Sequence, residues 1–424
     1  MATSYPIRPV SSAELPAFMT VCEQAFNSTW PAEQSLEIER KLFEPGRSLA
    51  AFDGDQMVGT ATALSFGLTV PGGAVDCAGV TGVGVLPTHR RRGILSALMR
   101  RQLADVSDLG EPVAALFASE SAIYRRYGYG LASEQYNLSI LASGRPLARA
   151  AADEGGQAAT AADGLTLRLA GPQSATKELM SVYDTVRVDR PGMLTRSDQW
   201  WEVLLADPAF MREGYSPLRC VIAADDTGAR GYALYTGKPD WGADSIPAHE
   251  LVIRELFAVD PAAYAAVWGN LLSRDLVAEV NARMRPTDEP LLHLLANRRA
   301  ARPRVSDGLW IRLVDLPAAL IRRGYACAVD VVIDVTDSLL PANSGRWRLR
   351  AGGFADPRPA TCGRVSAEPD IALGTMALGA AYLGGTRLGS LAGAGLVTEL
   401  RPGALAALSA AMSWDPLPWS PMVF

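Results

Sequence analysis

Residues 80 to 95 of this 424-residue chain read VTGVGVLPTHRRRGIL, a β-branched run broken by glycine that passes through Pro-Thr-His into three arginines and a further glycine. Arg90, Arg91, Arg92 and Gly93 fall where a strand hands over to a helix, whose first turn holds Ile94, Leu95 and Ser96. The first N–H groups of a helix have no intrahelical acceptor, and the helix dipole makes that end attractive to an anion. Glycine lets the main chain come close to the anion, and flanking guanidinium groups neutralise it. A pyrophosphate is the ligand such a turn fits. Three arginines at a helix start are equally what a solvated surface turn would show, and the strand before them separates the two readings. Interior glycines such as Gly82 and Gly84 mark a bulge. A bulged strand frees main-chain groups around Val83, Gly84 and Val85 for an extended ligand.

The elements that must hold this turn follow from periodicity. Residues 12 to 26 carry Leu15, Phe18, Met19, Val21, Cys22 and Phe26 at helical spacing after a Ser-Ser start. SLAAFD at 48 to 53 and QMVGTATALSFGLT at 56 to 69 read as strands joined by a Gly-Asp turn, and 75 to 86 reads as a third. A helix from about Arg92 to Val106 places Ile94, Leu95, Leu98, Met99, Leu103 and Val106 on one face. The short strand VAALF at 113 to 117 and a short helix around Ile123 and Tyr124 come next.

Residues 142 to 164 read as a linker. Eight of the seventeen residues from Ala148 to Gly164 are alanine and none is large and apolar, so this stretch cannot bury a core. Beyond it, strands are expected at 165 to 170, 218 to 224, 230 to 236, 250 to 259 and 276 to 283, with helices at 173 to 186, 197 to 205 and 260 to 273. That is the succession of the first segment, hence a second copy of one fold. In this copy ELVIRELFAVD runs into PAAYAAVW with no arginine-glycine turn, so the ligand of the first copy is not expected here. From Leu309 the pattern changes: a strand LWIRLV, a short helix LPAALIRRGY, strands at 328 to 336, 345 to 351 and about 370 to 373, and helices at 375 to 383 and 403 to 412. The chain then closes with WDPLPWSPMVF.

Composition narrows the classes. A chain of 424 residues exceeds one core and implies two to four domains. With 49% hydrophobic and 20% charged residues it is a globular composition. No apolar run approaches the roughly 18 residues a membrane span needs, and MATSYPIRPVSSAELP lacks the basic start and apolar core of a signal peptide. A net charge of −5 lends no support to nucleic-acid binding. Cys22, Cys77, Cys220, Cys327 and Cys362 are scattered, which fits reduced thiols in a cytoplasmic protein. The three histidines show no ligand spacing, and no metal is expected.

Strand, bulge, anion turn, helix and a following parallel strand together resemble the GCN5-related N-acetyltransferase (GNAT) fold. Its Q/R-x-x-G-x-G/A pattern is met by Arg90-Arg91-Arg92-Gly93-Ile94-Leu95, save that Leu95 stands in the last, small position. PTHRRRGIL, PVAALFASE, IYRRYGYG, DGLWIRLVDLPAAL and a terminal aromatic residue are, taken together, similar to the Eis (enhanced intracellular survival) group over nearly the full chain. The fold class this resemblance implies is α/β (α+β). Tandem GNAT-type domains would occupy 1–143 and 165–303, the second degenerate and preceded by the linker 144–164. A sterol-carrier-like α+β domain would occupy 304–424, its C-terminus reaching the active site. The resemblance further implies acetyl-CoA as donor, contacted by Val83, Gly84, Val85, Arg90, Arg91, Arg92, Gly93, Ile94, Leu95, Ser96, Ser119 and Glu120. It also implies a cytoplasmic homo-oligomer, a hexamer.

Acetyl transfer to an amine requires that the ammonium lose a proton, that the thioester carbonyl be polarised and that the departing thiolate gain a proton. Main-chain N–H groups near Val83 to Val85 can polarise the carbonyl. The resemblance gives the acid role to Tyr124, ahead of Tyr127 and Tyr129; a phenol of pKa about 10 keeps its proton at neutral pH. Three tyrosines in six residues also read as core rings. His89, in the anion turn, reads as structural or exposed, and the resemblance gives the base role to a terminal carboxylate, here that of Phe424. An α-carboxylate of pKa about 3.5 is a poor base unless burial raises it. The tail PLPWSPMVF is apolar enough to pack, whether or not it is catalytic.

Implied acceptors are primary amines of small molecules or peptides: aminoglycosides, acetylated at several positions, and lysine side chains. Phe26, Asn27, Trp30, Phe117 and Val423 are expected at the acceptor pocket, Phe117 where relatives can carry histidine and Val423 where they can carry an acid. Two other readings stand beside this one. One is a lipid- or sterol-binding module with a vestigial acetyltransferase domain, against which the intact turn argues; the other is a protein lysine acetyltransferase only.

Overall fold

The computed structural model describes residues 5–28, 32–141, 147, 164–354, 356 and 358–424. Trp30 lies outside them, as does the expected linker apart from Leu147 and Gly164. The chain divides into two compact units. One comprises Met1–Ser133, Arg190–Trp200 and Asp307–Phe424, the other Glu134–Asp189 and Trp201–Ser306.

The first unit is built on a seven-stranded sheet: β1 (Ile7–Pro9), β2 (Ser48–Asp53), β3 (Gln56–Val70), β4 (Gly73–Val85), β5 (Val113–Phe117), then Leu309–Leu313, then β6 (Gly130–Leu131). β1 to β4 are antiparallel neighbours, whereas β4 and β5 run parallel. Parallel strands need a crossover, and the helix Ile94–Asp108 supplies it. Ile94, Leu98, Met99, Leu103 and Val106 recur at helical spacing and are buried. The helix starts at Ile94 and not near Arg92, because Arg91 (φ 63°) and Gly93 (φ 84°) are both left-handed and cannot continue a right-handed helix. A helix at Ala32–Leu42 has no counterpart among the sequence expectations; AEQSLEIERKL shows few apolar positions.

Each face of this sheet has its own core. Met99, Leu103 and Val106 of the crossover helix pack with Ala78, Val80, Ala114 and Leu116 on one side. On the other, Phe66, Leu68, Val75, Cys77 and Val113 form one continuous core with Ile333, Leu349, Leu378, Tyr382 and Leu408 of the C-terminal domain. That domain is a five-stranded sheet, Thr361–Arg364, Gly345–Ala351, Val329–Thr336, Ile371–Gly374 and Val397–Glu399 in spatial order, with short helices between its strands.

In the second unit the expected succession of strands and helices recurs. His249–Ala258 and Val277–Pro286 form the parallel pair, bridged by the helix Pro261–Leu272. Its start is an ordinary one: Pro261 follows Asp260, whose carboxylate accepts from the Ala263 N–H at 2.8 Å.

Two expected boundaries move. Glu134–Leu141, placed by sequence in the first domain, pairs with Val277–Pro286 and belongs to the second unit's sheet. Leu309–Leu313, placed in the C-terminal domain, pairs with β5 and β6 in the first. Residues 190–200 also belong to the first unit, where the Thr195 N–H donates to Gly67 O at 2.8 Å and that of Gly192 to Thr69 O at 2.8 Å. Alternation of apolar and polar residues announces a strand but not the sheet edge it will join.

Candidate functional site

The glycine-rich run on β4 is a bulge. Thr60 pairs with Gly84 and Thr62 with Thr81, so Gly82 and Val83 together stand opposite Ala61, with Gly82 at φ 57°. Thr60 Oγ1 donates to Gly82 O at 2.8 Å and fixes the bulge. Pairing of β4 with β5 stops at Gly79 and Ala115. Beyond that point the two strands part, and Val80 to Val85 have no ladder partner on β5.

A cleft of about 660 Å³ opens at this parting, within the range of small-molecule sites. Val83, Gly84 and Val85 line one side, Arg90, Arg91, Gly93, Ile94, Leu95 and Ser96 the turn and first helical turn, and Ser119, Glu120 and Tyr124 the far side. The N-cap of the crossover helix is Gly93, which no side chain caps, and Ile94, Leu95 and Ser96 of its first turn line the cleft.

The three arginines do different things. Arg90 Nη2 donates to Ala25 O at 3.0 Å and ties the turn to the end of the helix Leu15–Phe26. Arg91 is exposed and lines the cleft. Arg92 donates to the Tyr5 hydroxyl at 2.8 Å and is not among the lining residues, contrary to the sequence expectation. His89 also lines the cleft, with Nε2 3.2 Å from Asp53 Oδ2 and Nδ1 2.8 Å from Thr88 Oγ1.

Of the tyrosines at 124, 127 and 129, Tyr124 and Tyr127 line the cleft. Tyr127 shares a 3.0 Å hydrogen bond with Ser96 Oγ, and Tyr129 is wholly buried. Tyr124 lines the cleft at 6% exposure. Burial, with smaller contributions from Tyr127 and Glu120, pushes its hydroxyl up to about 12, which keeps it protonated.

On the opposite face of β4 lies the end of the chain. Thr81 Oγ1 donates to Phe424 O at 3.0 Å. The Phe424 ring meets Phe66 at 5.1 Å and Phe117 at 5.6 Å between centroids, and Phe66 meets Trp200 at 5.7 Å. Gly79 makes room for this group: a Cβ there would sit 2.3 Å from Phe66 Cε2 and 3.1 Å from Phe424 Cε2.

Of the five expected acceptor residues, Trp30 lies outside the described residues, and the other four do not gather in one place. Phe117 packs on Phe424, Val423 is 55% exposed, and Phe26 and Asn27 line the cleft beside Arg90. Sequence reasoning missed Thr81, Phe66 and Trp200 around the terminus, and Ala25, Ile123 and Arg126 in the cleft. Thr81 was within reach of a strand-alternation argument, since it precedes the bulge. No local signal ties Phe66 or Trp200 to residue 424. Among the described residues, no group of three or more His, Cys, Asp or Glu could hold a metal, and no helix is long and apolar enough to cross a membrane.

Residues 6–132 match a family of acetyltransferase (GNAT) domains, residues 192–313 a second such family, and residues 316–421 the sterol carrier protein domain. An uncharacterized N-acetyltransferase of Streptomyces avermitilis is 44% identical over 402 residues, 95% of each chain. N-acetyltransferase Eis of Mycobacterium tuberculosis is 36% identical over 371 residues, 85% of this chain and 84% of its own. The crystal structure of Eis1 from Mycobacterium abscessus superposes with a TM-score of 0.82 at 35% identity, covering 99% of this chain and 100% of that one.

Proposed function

Since the chain belongs to the Eis-like N-acetyltransferases of the GNAT superfamily, with two GNAT domains followed by a sterol carrier domain, we propose that it acetylates primary amines from acetyl-CoA at the cleft beside β4. The observation that carries this reading is the meeting, in one cleft, of an uncapped helix N-terminus, the exposed guanidinium of Arg91 and the protonated Tyr124. The fit to the donor is physical. A pyrophosphate needs unpaired N–H groups and a cation, and the first turn Ile94 to Ser96 with Arg91 offers both. Arg90 holds the turn through Ala25, and Arg92, bonded to Tyr5, is left out of the donor set. Val83 to Val85, Ser119 and Glu120 flank the rest of the donor.

Bound there, acetyl-CoA supplies a thioester whose C–S bond is exchanged for the C–N bond of an acetamide. The residues of the chain manage the protons. The Phe424 carboxylate, steadied by Thr81, takes a proton from the amine nitrogen. Tyr124 Oη gives one to the departing sulfur. Main-chain N–H groups around Val83 to Val85 polarise the carbonyl.

The acceptors proposed are aminoglycoside amines and lysine side chains. Phe66, Phe117 and Phe424 offer such a molecule an aromatic wall beside the terminal carboxylate, which suits a cation. We take the protein to work in the cytoplasm as a homo-oligomer, a hexamer, which light scattering on the purified chain tests. The decisive experiment reads CoA release against an amine panel of an aminoglycoside, a lysine peptide and a simple alkylamine, with calorimetric titration of acetyl-CoA. Binding heat and CoA release with at least one amine are expected. No heat and no release would remove the reading.

A further inference from the structure

The helix that carries Tyr124 is a single turn, Ser121–Tyr124, too short to hold itself. The segment after it is gripped from the neighbouring strand Leu309–Leu313 and from the C-terminal domain. The chain runs through Arg125–Tyr127, reverses at Gly128 (φ 82°), and the Tyr129 N–H returns to Tyr124 O at 3.3 Å. The Arg312 guanidinium lies against that reversal. A Cβ on Gly128 would sit 2.9 Å from Arg312 Cζ and 2.8 Å from Thr375 Oγ1.

Arg312 is fully buried, and its Nη2 donates to both oxygens of Asp337 at 2.8 and 2.6 Å. Its Nε and Nη1 have no partner among the described residues, so Asp337 alone fixes the guanidinium. Asp337 is fixed in turn by the N–H groups of Leu339 (3.1 Å) and Leu340 (3.0 Å) and by the Asn343 amide (3.0 Å). Leu339 and Leu340 themselves pack against the cluster that contains Tyr124, Tyr127 and Tyr129. A buried ion pair is a weak source of stability, because desolvation offsets its attraction. Here the pair also lies against the turn that follows Tyr124.

We propose that Arg312 and Asp337 are positioning residues for Tyr124, so that the sterol-carrier-like domain, acting through Asp337 on Arg312 of the first sheet, orients the proton donor of the first domain. The proposal rests on the acid role of Tyr124. Its test is the double replacement Arg312→Met with Asp337→Leu, which removes both charges and leaves neither unpaired. A folded variant by thermal melting, with the acetyl-CoA KM within twofold and kcat reduced at least tenfold, is expected. In a Tyr124→Phe background the same replacement should reduce kcat no further, since its effect passes through the lost hydroxyl. An unchanged kcat in the folded variant overturns the proposal, and so does an equal further loss in the Tyr124→Phe background. Should the double replacement not fold, Arg312→Lys keeps the charge opposite Asp337 but removes the flat face against Gly128. The same non-additivity with Tyr124→Phe is then expected, and additivity overturns the proposal. Full activity of Tyr124→Phe alone would instead sink the acid role itself, which keeps the two failures apart.

Discussion

Thr81 and Phe424, 343 positions apart in sequence, are joined by a 3.0 Å hydrogen bond from the threonine hydroxyl to the oxygen of the last residue. If that carboxylate is the base, its chemistry depends on the carboxylate and not on the ring. Phe424→Leu should keep appreciable activity. A few glycines added after Phe424 turn the carboxylate into an amide, and kcat should fall by roughly a hundredfold or more. Thermal melting of the extended protein separates this loss from unfolding; a well-folded extended chain at wild-type rate ends the terminal-carboxylate proposal.

Tyr124→Phe should lower kcat by roughly a hundredfold with little change in acetyl-CoA affinity, since only the departing sulfur needs its proton. Burial holds this hydroxyl near 12. The rate should therefore show no basic limb from Tyr124 below about pH 11. A steep loss of rate between about pH 8 and 10 that vanishes in Tyr124→Phe would contradict this.

The same shift makes a prediction about stability. The folded phenol, raised to about 12, keeps its proton while the unfolded chain ionises from about pH 10. The unfolded state then binds fewer protons, so stability falls as pH rises. The contribution of Tyr124, about 3 kcal/mol, is fully present below pH 10 and lost between about 10 and 12. Denaturant melts across that window should show a shallower decline in Tyr124→Phe than in the wild type.

Arg91 and Arg92 should part company. Arg91 lines the cleft, whereas Arg92 is spent on the Tyr5 hydroxyl. Losing one charge-assisted contact to a phosphate is worth about tenfold or more in affinity, so Arg91→Ala should raise the acetyl-CoA KM by that order. Arg92→Ala should change it less than about twofold, the scale of a surface substitution. Initial-rate kinetics on both variants decide it, and equal effects would contradict the geometry.

Gly79→Ala probes the aromatic group under the terminus. The new methyl would meet Phe66 Cε2 at 2.3 Å and Phe424 Cε2 at 3.1 Å. Overpacking of this kind costs about 1–3 kcal/mol. A lowered melting temperature together with reduced kcat is expected, because the ring that anchors the carboxylate has to move. Loss of stability without loss of rate would show that Phe424 packs there without catalysing.

The parts of this site that are contiguous in sequence were legible in it. The glycines of VTGVGV announced the bulge, RRRG the turn into the helix, and the periodicity from Ile94 the crossover helix, because each rests on local sterics or a local repeat. The bond from Arg92 to Tyr5 was illegible because an exposed arginine has many reachable acceptors, and nothing near it in sequence points to Tyr5. The homes of Glu134–Leu141 and Leu309–Leu313 were illegible for a related reason: a strand's partner is chosen by which edges remain open once everything else has packed. Phe66, Phe117 and Trp200 each read as ordinary core residues, and only the fold brings them around Phe424.

The strand Leu309–Leu313 lies between β5 and β6, and this has a consequence for biosynthesis. As the chain leaves the ribosome, β5 emerges with an open edge, and β6 has no ladder to join. Both wait until the second unit has been translated and residues 309–313 emerge behind it. A stalled or prematurely terminated product would carry a raw sheet edge, the kind of surface that pairs with other chains and that chaperones engage. Catalytic competence thus arrives late in translation, and fragments cut at the apparent end of the first domain should be poor at folding as well as inactive.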